Sequence, residues 1–283
     1  MTSRVRLLLA SSHPGPTVAV TVLATVLAAA AGRPPGTVVL VALAVVCGQL
    51  SIGLANDWID VDRDRAVGRT DKPVASGLIS VRTVRAAAMG TAAASILLSL
   101  LLGPVAAVAH LVLVAAGWVY DAGLKRTAFS VVPFVVAFGL LPVVAVSAGG
   151  GALPAAWAIA TGAVFGVAIH CTNVLPDLVD DAATGVRGFP HRLGLRLSGV
   201  VAFGSLIAGA LLVLVGQLSG DDPVSGPGAL LAVVGTLAVV VLAAVGVRLV
   251  LTGPPTRLLF RIVIAASLVL VVELGLSGAR LVA

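Results

Sequence analysis

Long apolar runs alternate along the chain with short polar breaks, many of them marked by Gly or Pro. A helix that crosses a bilayer needs about 20 predominantly apolar residues, and the runs have that length. They are continuously apolar rather than alternating, which disfavours a transmembrane β-barrel. The pattern predicts nine spans, at residues 15–32, 37–57, 83–102, 104–121, 129–148, 154–175, 198–217, 228–250 and 258–280. The expected fold is therefore all-α and polytopic, with about nine transmembrane helices in one bundle around a central cavity. Residues 1–283 then form a single domain. Gly103-Pro104 separates the third and fourth spans as a tight turn. The first span is short and rich in alanine. The apolar stretch after Arg4 and Arg6 is broken at Ser11-Ser12-His13-Pro14, so no cleaved signal peptide is expected.

Composition agrees with a lipid-embedded chain. Hydrophobic residues make up 59% and charged residues only 11%, against about 25% charged in soluble domains. Charge then orients the bundle. Sixteen of the 18 Lys and Arg residues fall on one side of the nine-span parse, with only Arg33 and Arg280 on the other. The positive-inside rule assigns the crowded side to the cytoplasm. The net charge of +6 includes no basic run with interleaved aromatics, so no nucleic-acid partner is expected. No obligate protein partner is evident either. Cys47 and Cys171 lie in apolar runs without metal or redox spacing, and no disulfide is expected. The 16 Arg to 2 Lys bias and the abundance of Ala, Val and Gly point to a GC-rich bacterial genome and a cell-membrane location.

Acidic residues carry the candidate chemistry. Nine of the 12 lie at the expected cytoplasmic face: Asp57, Asp60, Asp62, Asp64, Asp71, Asp121, Asp177, Asp180 and Asp181. Carboxylates near a bilayer are costly unless paired or solvated. Asn56, Asp60 and Asp64 recur every four residues, as do Asn173, Asp177 and Asp181. On a helix that spacing makes a stripe of oxygen ligands on one face. Mutual repulsion along the stripe is relieved by a cation, and carboxylate, amide and water oxygens suit Mg²⁺. Asn56 and Asn173 are the only asparagines in the chain.

The two stripes match over a longer stretch. Asn56, Asp60, Asp64, Gly68, Pro73 and Gly77 correspond to Asn173, Asp177, Asp181, Gly185, Pro190 and Gly194, each pair 117 residues apart. Two related Asp-rich regions, 56–77 and 173–194, are thus expected at the same end of the bundle, as in a parallel repeat. A solvated loop has no reason to keep helical spacing twice.

At this point the residues resemble the UbiA superfamily of intramembrane prenyltransferases. Asn56-Asp57-Trp58-Ile59-Asp60-Val61-Asp62-Arg63-Asp64 fits that family's N-D-x-x-D-x-x-x-D motif, and this brings Asp57 into the ligand set. Asp177-Leu178-Val179-Asp180-Asp181 fits its D-x-x-x-D motif, and Gly188-Phe189-Pro190-His191-Arg192-Leu193-Gly194 looks like the usual tail of the second loop. Tyr120 followed by Lys125-Arg126 looks like the Tyr…Lys-Arg element of loop 4–5. Two departures stand out. Lys72-Pro73 replaces the Arg-Pro of many members, and four residues rather than three separate Tyr120 from Lys125. Both bear on the acceptor more than on the chemistry.

The resemblance implies transfer of an isoprenyl group from a prenyl diphosphate to an acceptor, usually aromatic, with release of diphosphate. Mg²⁺ held by Asn56, Asp57, Asp60, Asp64, Asn173, Asp177 and Asp181 would clamp the diphosphate. Lys125, Arg126, Arg63 and Arg69 would add positive charge around it. An allylic cation would form below, near the faces of Tyr120, Phe134, Phe138 or Phe165. Lys125 and Tyr120 are the candidate catalytic residues. Partners would be the prenyl diphosphate, a small hydrophobic or aromatic acceptor, and the bilayer. His170 lies one turn before Asn173 and reads more plainly as a satisfied buried histidine. His13 and His191 are interfacial and uninformative, and Glu273, alone in the ninth span, is unassigned. A secondary transporter is the alternative, although transporter sites lie near the midplane and these polar residues sit at helix ends. A membrane phosphotransferase is disfavoured because its expected Gly and Arg arrangement is missing. A purely structural scaffold leaves the two stripes without a cause.

Overall fold

A computed structural model describes residues 3–150, 152–175, 178, 185–219, 223–253 and 257–283. Its helices are α1 (Arg4–Ala10), α2 (Pro14–Ala30), α3 (Pro35–Ile59), α4 (Val61–Ala66), α5 (Val81–Leu100), α6 (Pro104–Ala122), α7 (Val132–Ser147), α8 (Ala156–Val174), α9 (Phe189–Leu218), α10 (Gly226–Thr252) and α11 (Arg257–Leu276). Each of the nine expected spans overlaps one of them. Among the described residues, six helices are long and apolar enough to cross a membrane: α3, α5, α6, α8, α9 and α10. A seventh span results if α1 and α2, bent by 74° at their junction, are taken together. The 16 residues of α7 are apolar but short.

Local chemistry sets the helix ends. Pro14, Pro35 and Pro104 open α2, α3 and α6, where the missing N–H has no partner to lose. Ser80 caps α5 by accepting from the Thr83 amide at 3.1 Å. Gly103 takes φ 90° between α5 and α6, the tight turn expected there. Two features were not legible as spans. The segment after α3 continues as α4, with Asp60 accepting from the Asp64 amide at 2.8 Å. The helix over the seventh expected span, α9, starts earlier than expected, because Phe189–Leu193 is helical and is joined to its long part across a kink at Gly194, φ 73°.

The helices close into a bundle. Neighbouring contacts run from α2 to α3, α6, α7, α8, α9 and α11, and α11 returns to α2. Helix α5 packs mainly on α3 and α6, and α10 on α9 and α11. Leu27, Val41, Val45, Leu141, Phe203 and Leu206 are fully buried between them. Large apolar side chains face outward instead on α5 (Leu97, Leu100) and α10 (Leu230, Leu237, Val241). In a membrane those faces meet lipid, which is as apolar as the core. The C-terminus is stitched to the start of α8, with Ala155 N–H bonding Leu281 O at 2.8 Å and Ala283 N–H bonding Leu153 O at 2.9 Å.

One close approach fixes the entry to the site described below. Gly53 of α3 faces the backbone of Ser12, and a Cβ there would collide with the Ser12 carbonyl. A backbone group cannot swing aside as a long side chain can. Gly53→Ala is therefore expected to destabilise the protein by about 1–3 kcal/mol, the usual range for overpacking. Thermal unfolding in detergent would show a lowered midpoint, and an unchanged midpoint would refute this contact.

Candidate active site

Six element ends meet around one cavity of about 450 Å³. His13 at the start of α2, Asn56 and Asp60 at the end of α3, and Tyr120, Asp121 and Lys125 at the end of α6 line it. Phe134 from the start of α7, His170 and Asn173 from the end of α8, and Pro190 from α9 complete the ring. Deeper in the bundle the lining turns apolar, with Val20, Ile52, Leu113, Ala137, Phe138 and Leu141. The cavity thus has a charged mouth and an apolar, partly aromatic interior.

The first stripe survives as geometry. Asp60 and Asp64 amides bond the carbonyls of Asn56 and Asp60 at 2.9 and 2.8 Å, so the helical repeat continues from α3 into α4. Asp57, Asp60 and Asp64 are each only 2% exposed. Buried carboxylates need cations, and basic side chains supply them here. Lys125 Nζ lies 2.6 Å from Asp60 Oδ2 and 3.8 Å from Asp121 Oδ1. Arg63 reaches the same Asp60 oxygen at 3.1 Å and Asp64 Oδ1 at 3.9 Å. Lys72 bridges Asp57 Oδ1 at 3.0 Å and Asp64 Oδ2 at 2.9 Å. Burial of Lys72 disfavours its charge, but Asp57 and Asp64 outweigh this and hold its pKa above the ordinary lysine value.

Asn56 joins the two halves of the cluster. Its amide N–H donates to Asp121 Oδ1 at 2.7 Å, and its Oδ1 faces Lys72 Nζ at 3.5 Å. His13 Nε2 approaches Asp57 Oδ1 at 3.2 Å. Three participants escaped the sequence reading. Asp121 was counted at the face but given no role, although it stands next to Tyr120 and one helical turn before Lys125. Lys72 stood out only as a departure from a motif. His13, judged uninformative, in fact lines the cavity and contacts Asp57. Its left-handed backbone, φ 52°, is uncommon for a residue with a side chain and turns the chain between α1 and α2.

The other sequence candidates divide. Arg63 and Arg69 line the cavity. Arg69 also makes a two-pronged bond to the exposed Asp71, both at 2.9 Å, and this bond holds the Asp71 carboxyl below the usual carboxylate range. Arg126 is exposed and is not among the lining residues. Asn173 is exposed at the cavity edge. Asp177 and Asp181, and with them Asp180, lie outside the described residues. Tyr120 packs edge-on against Phe134 at 5.1 Å and against His170 at 5.8 Å. Phe138 lines the cavity and stacks edge-on with Phe165 at 5.6 Å. His170 Nε2 bonds Ser130 Oγ at 2.9 Å, and Ser130 Oγ accepts from the Phe189 amide at 2.7 Å. That chain ties α7, α8 and α9 together at the mouth.

A divalent metal fits the donors at this mouth. Asp60 Oδ1 and Asp121 Oδ2 are buried carboxylate oxygens with no hydrogen-bond partner. Such acceptors are costly unless a cation meets them, and hard oxygens are what Mg²⁺ binds. The side chains as they stand are turned toward lysine and arginine. Among the described residues no three His, Cys, Asp or Glu side chains are grouped to hold a metal ion.

The model of the UbiA prenyltransferase family matches residues 17–261. No curated protein matches the chain. Among solved structures, a UbiA homolog from Archaeoglobus fulgidus bound to GPP and Mg²⁺ superposes with a TM-score of 0.73 at 15% identity, covering 97% of this chain and 99% of that one. A digeranylgeranylglyceryl phosphate synthase gives 0.67 at 14% identity, with 98% of each chain covered. The apo structure of a UbiA homolog from Aeropyrum pernix K1 gives 0.65 at 17% identity, covering 96% and 99%. At these identities the likeness is one of fold. A family match across most of the sequence, joined to a shared fold over nearly the whole length, places this multi-pass membrane protein: it belongs to the UbiA prenyltransferase family.

Proposed function

We propose that the chain is a Mg²⁺-dependent prenyltransferase. It moves an isoprenyl group from a prenyl diphosphate to a small hydrophobic or aromatic acceptor and releases diphosphate. The observation that carries this reading is the two-part cavity of about 450 Å³, charged at the mouth and apolar below. A prenyl diphosphate has the same two parts. UbiA relatives have been solved with GPP or DMAPP and Mg²⁺, which supports the same donor class here.

In this reading Asn56, Asp57, Asp60 and Asp64, together with Asn173, Asp177 and Asp181 of the second Asp-rich region, would hold the metal. Bound there, Mg²⁺ would supply positive charge against the leaving diphosphate. Lys125, Arg63 and Arg69 add fixed positive charge at the mouth, whereas Arg126, exposed and outside the cavity lining, would contact the diphosphate only if its side chain swings inward. Tyr120, with Phe134 and Phe138, presents ring faces and edges to the allylic carbon as its bond to oxygen breaks. The apolar walls exclude water, which would otherwise capture that carbon. Val20, Ile52, Leu113 and Leu141 receive the isoprenyl tail.

The chain would be one domain of nine spans, with the mouth facing the cytoplasm of a bacterial cell. Matched backbone conformations support two related Asp-rich regions. Gly68 and Gly185 have φ 70° and 81°, and Gly77 and Gly194 have φ 76° and 73°. Each pair keeps the 117-residue offset. A transporter would gather its polar groups near the midplane, whereas these gather at one end of the helices. The test is to incubate purified protein with labelled geranyl, farnesyl or geranylgeranyl diphosphate and a panel of acceptors. A product carrying the isoprenyl mass is expected, and no product from any donor would overturn the reading.

A further inference from the structure

The chain has 16 Arg but only 2 Lys, and both lysines sit in the carboxylate cluster. Lys72 is the more telling of the two. It leaves the loop between α4 and α5 and returns to the end of α3. Its single Nζ lies 3.0 Å from Asp57 Oδ1, 2.9 Å from Asp64 Oδ2 and 3.5 Å from Asn56 Oδ1. Three side-chain oxygens, two from the last turn of α3 and one from α4, therefore converge on one nitrogen. The lysine side chain is only 12% exposed and the two carboxylates 2% and 3%. Unlike the planar fork of an arginine, an ammonium is a compact point charge. It fills the kind of oxygen pocket that a small metal ion fills.

We propose that Lys72 is a built-in counter-ion whose ammonium occupies the oxygen pocket of Asn56, Asp57 and Asp64, so that a divalent cation must displace it to bind there. The inference rests on reading this cluster as a metal site. Two like charges cannot share the pocket. Even with the dielectric of water, two unit charges about 3 Å apart repel by an amount equivalent to about a tenfold change in an equilibrium constant. Lys72 thus does two things. It keeps buried carboxylates neutralised when no metal is present, and it sets a threshold metal concentration for loading. The surrounding charges that bear on it are Asp57, Asp64 and the partly exposed His13 on Asp57, with Arg63 on the far side of Asp64. Lys72 also lines the cavity, so the displaced ammonium remains at its mouth.

Opposite signs separate this role from a merely structural one. If Lys72 only braced the loop, its loss would leave metal affinity unchanged or lower it. As a competing cation, its loss raises metal affinity while weakening the metal-free protein. Mn²⁺ binding to the purified full chain in detergent, with no prenyl diphosphate present, reads this directly through the electron paramagnetic resonance of free Mn²⁺. Lys72→Met is expected to bind Mn²⁺ at least about tenfold more tightly than wild type. Its metal-free thermal midpoint should fall and should recover when Mn²⁺ is added. Lys72→Gln, which keeps a polar end, should show the same increase and serves if the Met variant does not fold. Unchanged or weaker Mn²⁺ binding in a folded variant overturns the inference, as does a lack of Mn²⁺ binding in both proteins. A chain that shows the tighter Mn²⁺ binding yet yields no prenyl product upholds the counter-ion and loses the transferase reading instead.

Discussion

Asp60→Ala lowers metal-dependent turnover of a prenyl diphosphate by about 10²–10³-fold, the scale expected when one preorganised charge-stabilising group is removed. Asp60 is the residue at which the cluster's contacts meet. Its Oδ2 holds Lys125 at 2.6 Å and Arg63 at 3.1 Å, and its Oδ1 is buried without a partner. Loss of the carboxylate removes a proposed metal ligand and releases two basic side chains from their positions. Asp62→Ala is the matched control. That carboxylate is two residues away but 93% exposed, on a 3.6 Å pair with Arg65, and exposed pairs contribute little. Turnover of the two variants, compared in membranes with equal protein content, checks the claim. Equal loss in both would mean that general charge, not the site, is being measured.

Lys125→Met carries the second large effect, again about 10²–10³-fold in turnover. Lys125 is 5% exposed and stands between Asp60 and Asp121, at 2.6 and 3.8 Å. Removing the cation from a buried pair costs up to about 3–5 kcal/mol, less here because Arg63 stays 3.1 Å from the same Asp60 oxygen. The variant is therefore expected to unfold at lower temperature as well as to turn over slowly. If Mg²⁺ meets the same carboxylates, as proposed, adding it should recover part of the stability but not the rate. Steady-state turnover and thermal midpoints with and without Mg²⁺ separate the two losses. Full recovery of the rate by Mg²⁺ would remove Lys125 from the substrate contacts.

Much of the bundle was legible because lipid makes helix periodicity unnecessary as a signal. Continuous apolar length marks where helices lie, and each expected span overlaps one, although among the described residues only six or seven are long and apolar enough to cross a membrane. The misjudged places are those where length says nothing. Residues 4–10 form a separate helix at 74° to α2, a bend set by the backbone of His13 and by the close seat of Ser12 on Gly53. Phe189–Leu193 is helical only up to the kink at Gly194.

At the site, local spacing reported what one helix could show. The stripe of Asn56, Asp60 and Asp64 was readable because its members are four residues apart and the chain keeps helical register across the α3–α4 junction. Its partners were not. Asn56 to Asp121 and Asp60 to Lys125 each join residues 65 positions apart, and no periodicity encodes a contact between α3 and α6. Lys125 was found through its motif rather than through its contact. Lys72 was visible as a substitution, but its three oxygen neighbours come from a loop folding back on a helix end. The same limit applied to His13, which meets Asp57 across 44 residues.

The most direct measurement is calorimetric titration of geranyl diphosphate into the purified protein, with and without Mg²⁺, for wild type and Asp60→Asn. If the charged mouth grips the diphosphate through metal, wild type binds only when Mg²⁺ is present, and Asp60→Asn loses most of that binding. Equal affinity with and without Mg²⁺, or undiminished Mg²⁺-dependent binding in Asp60→Asn, would contradict the account.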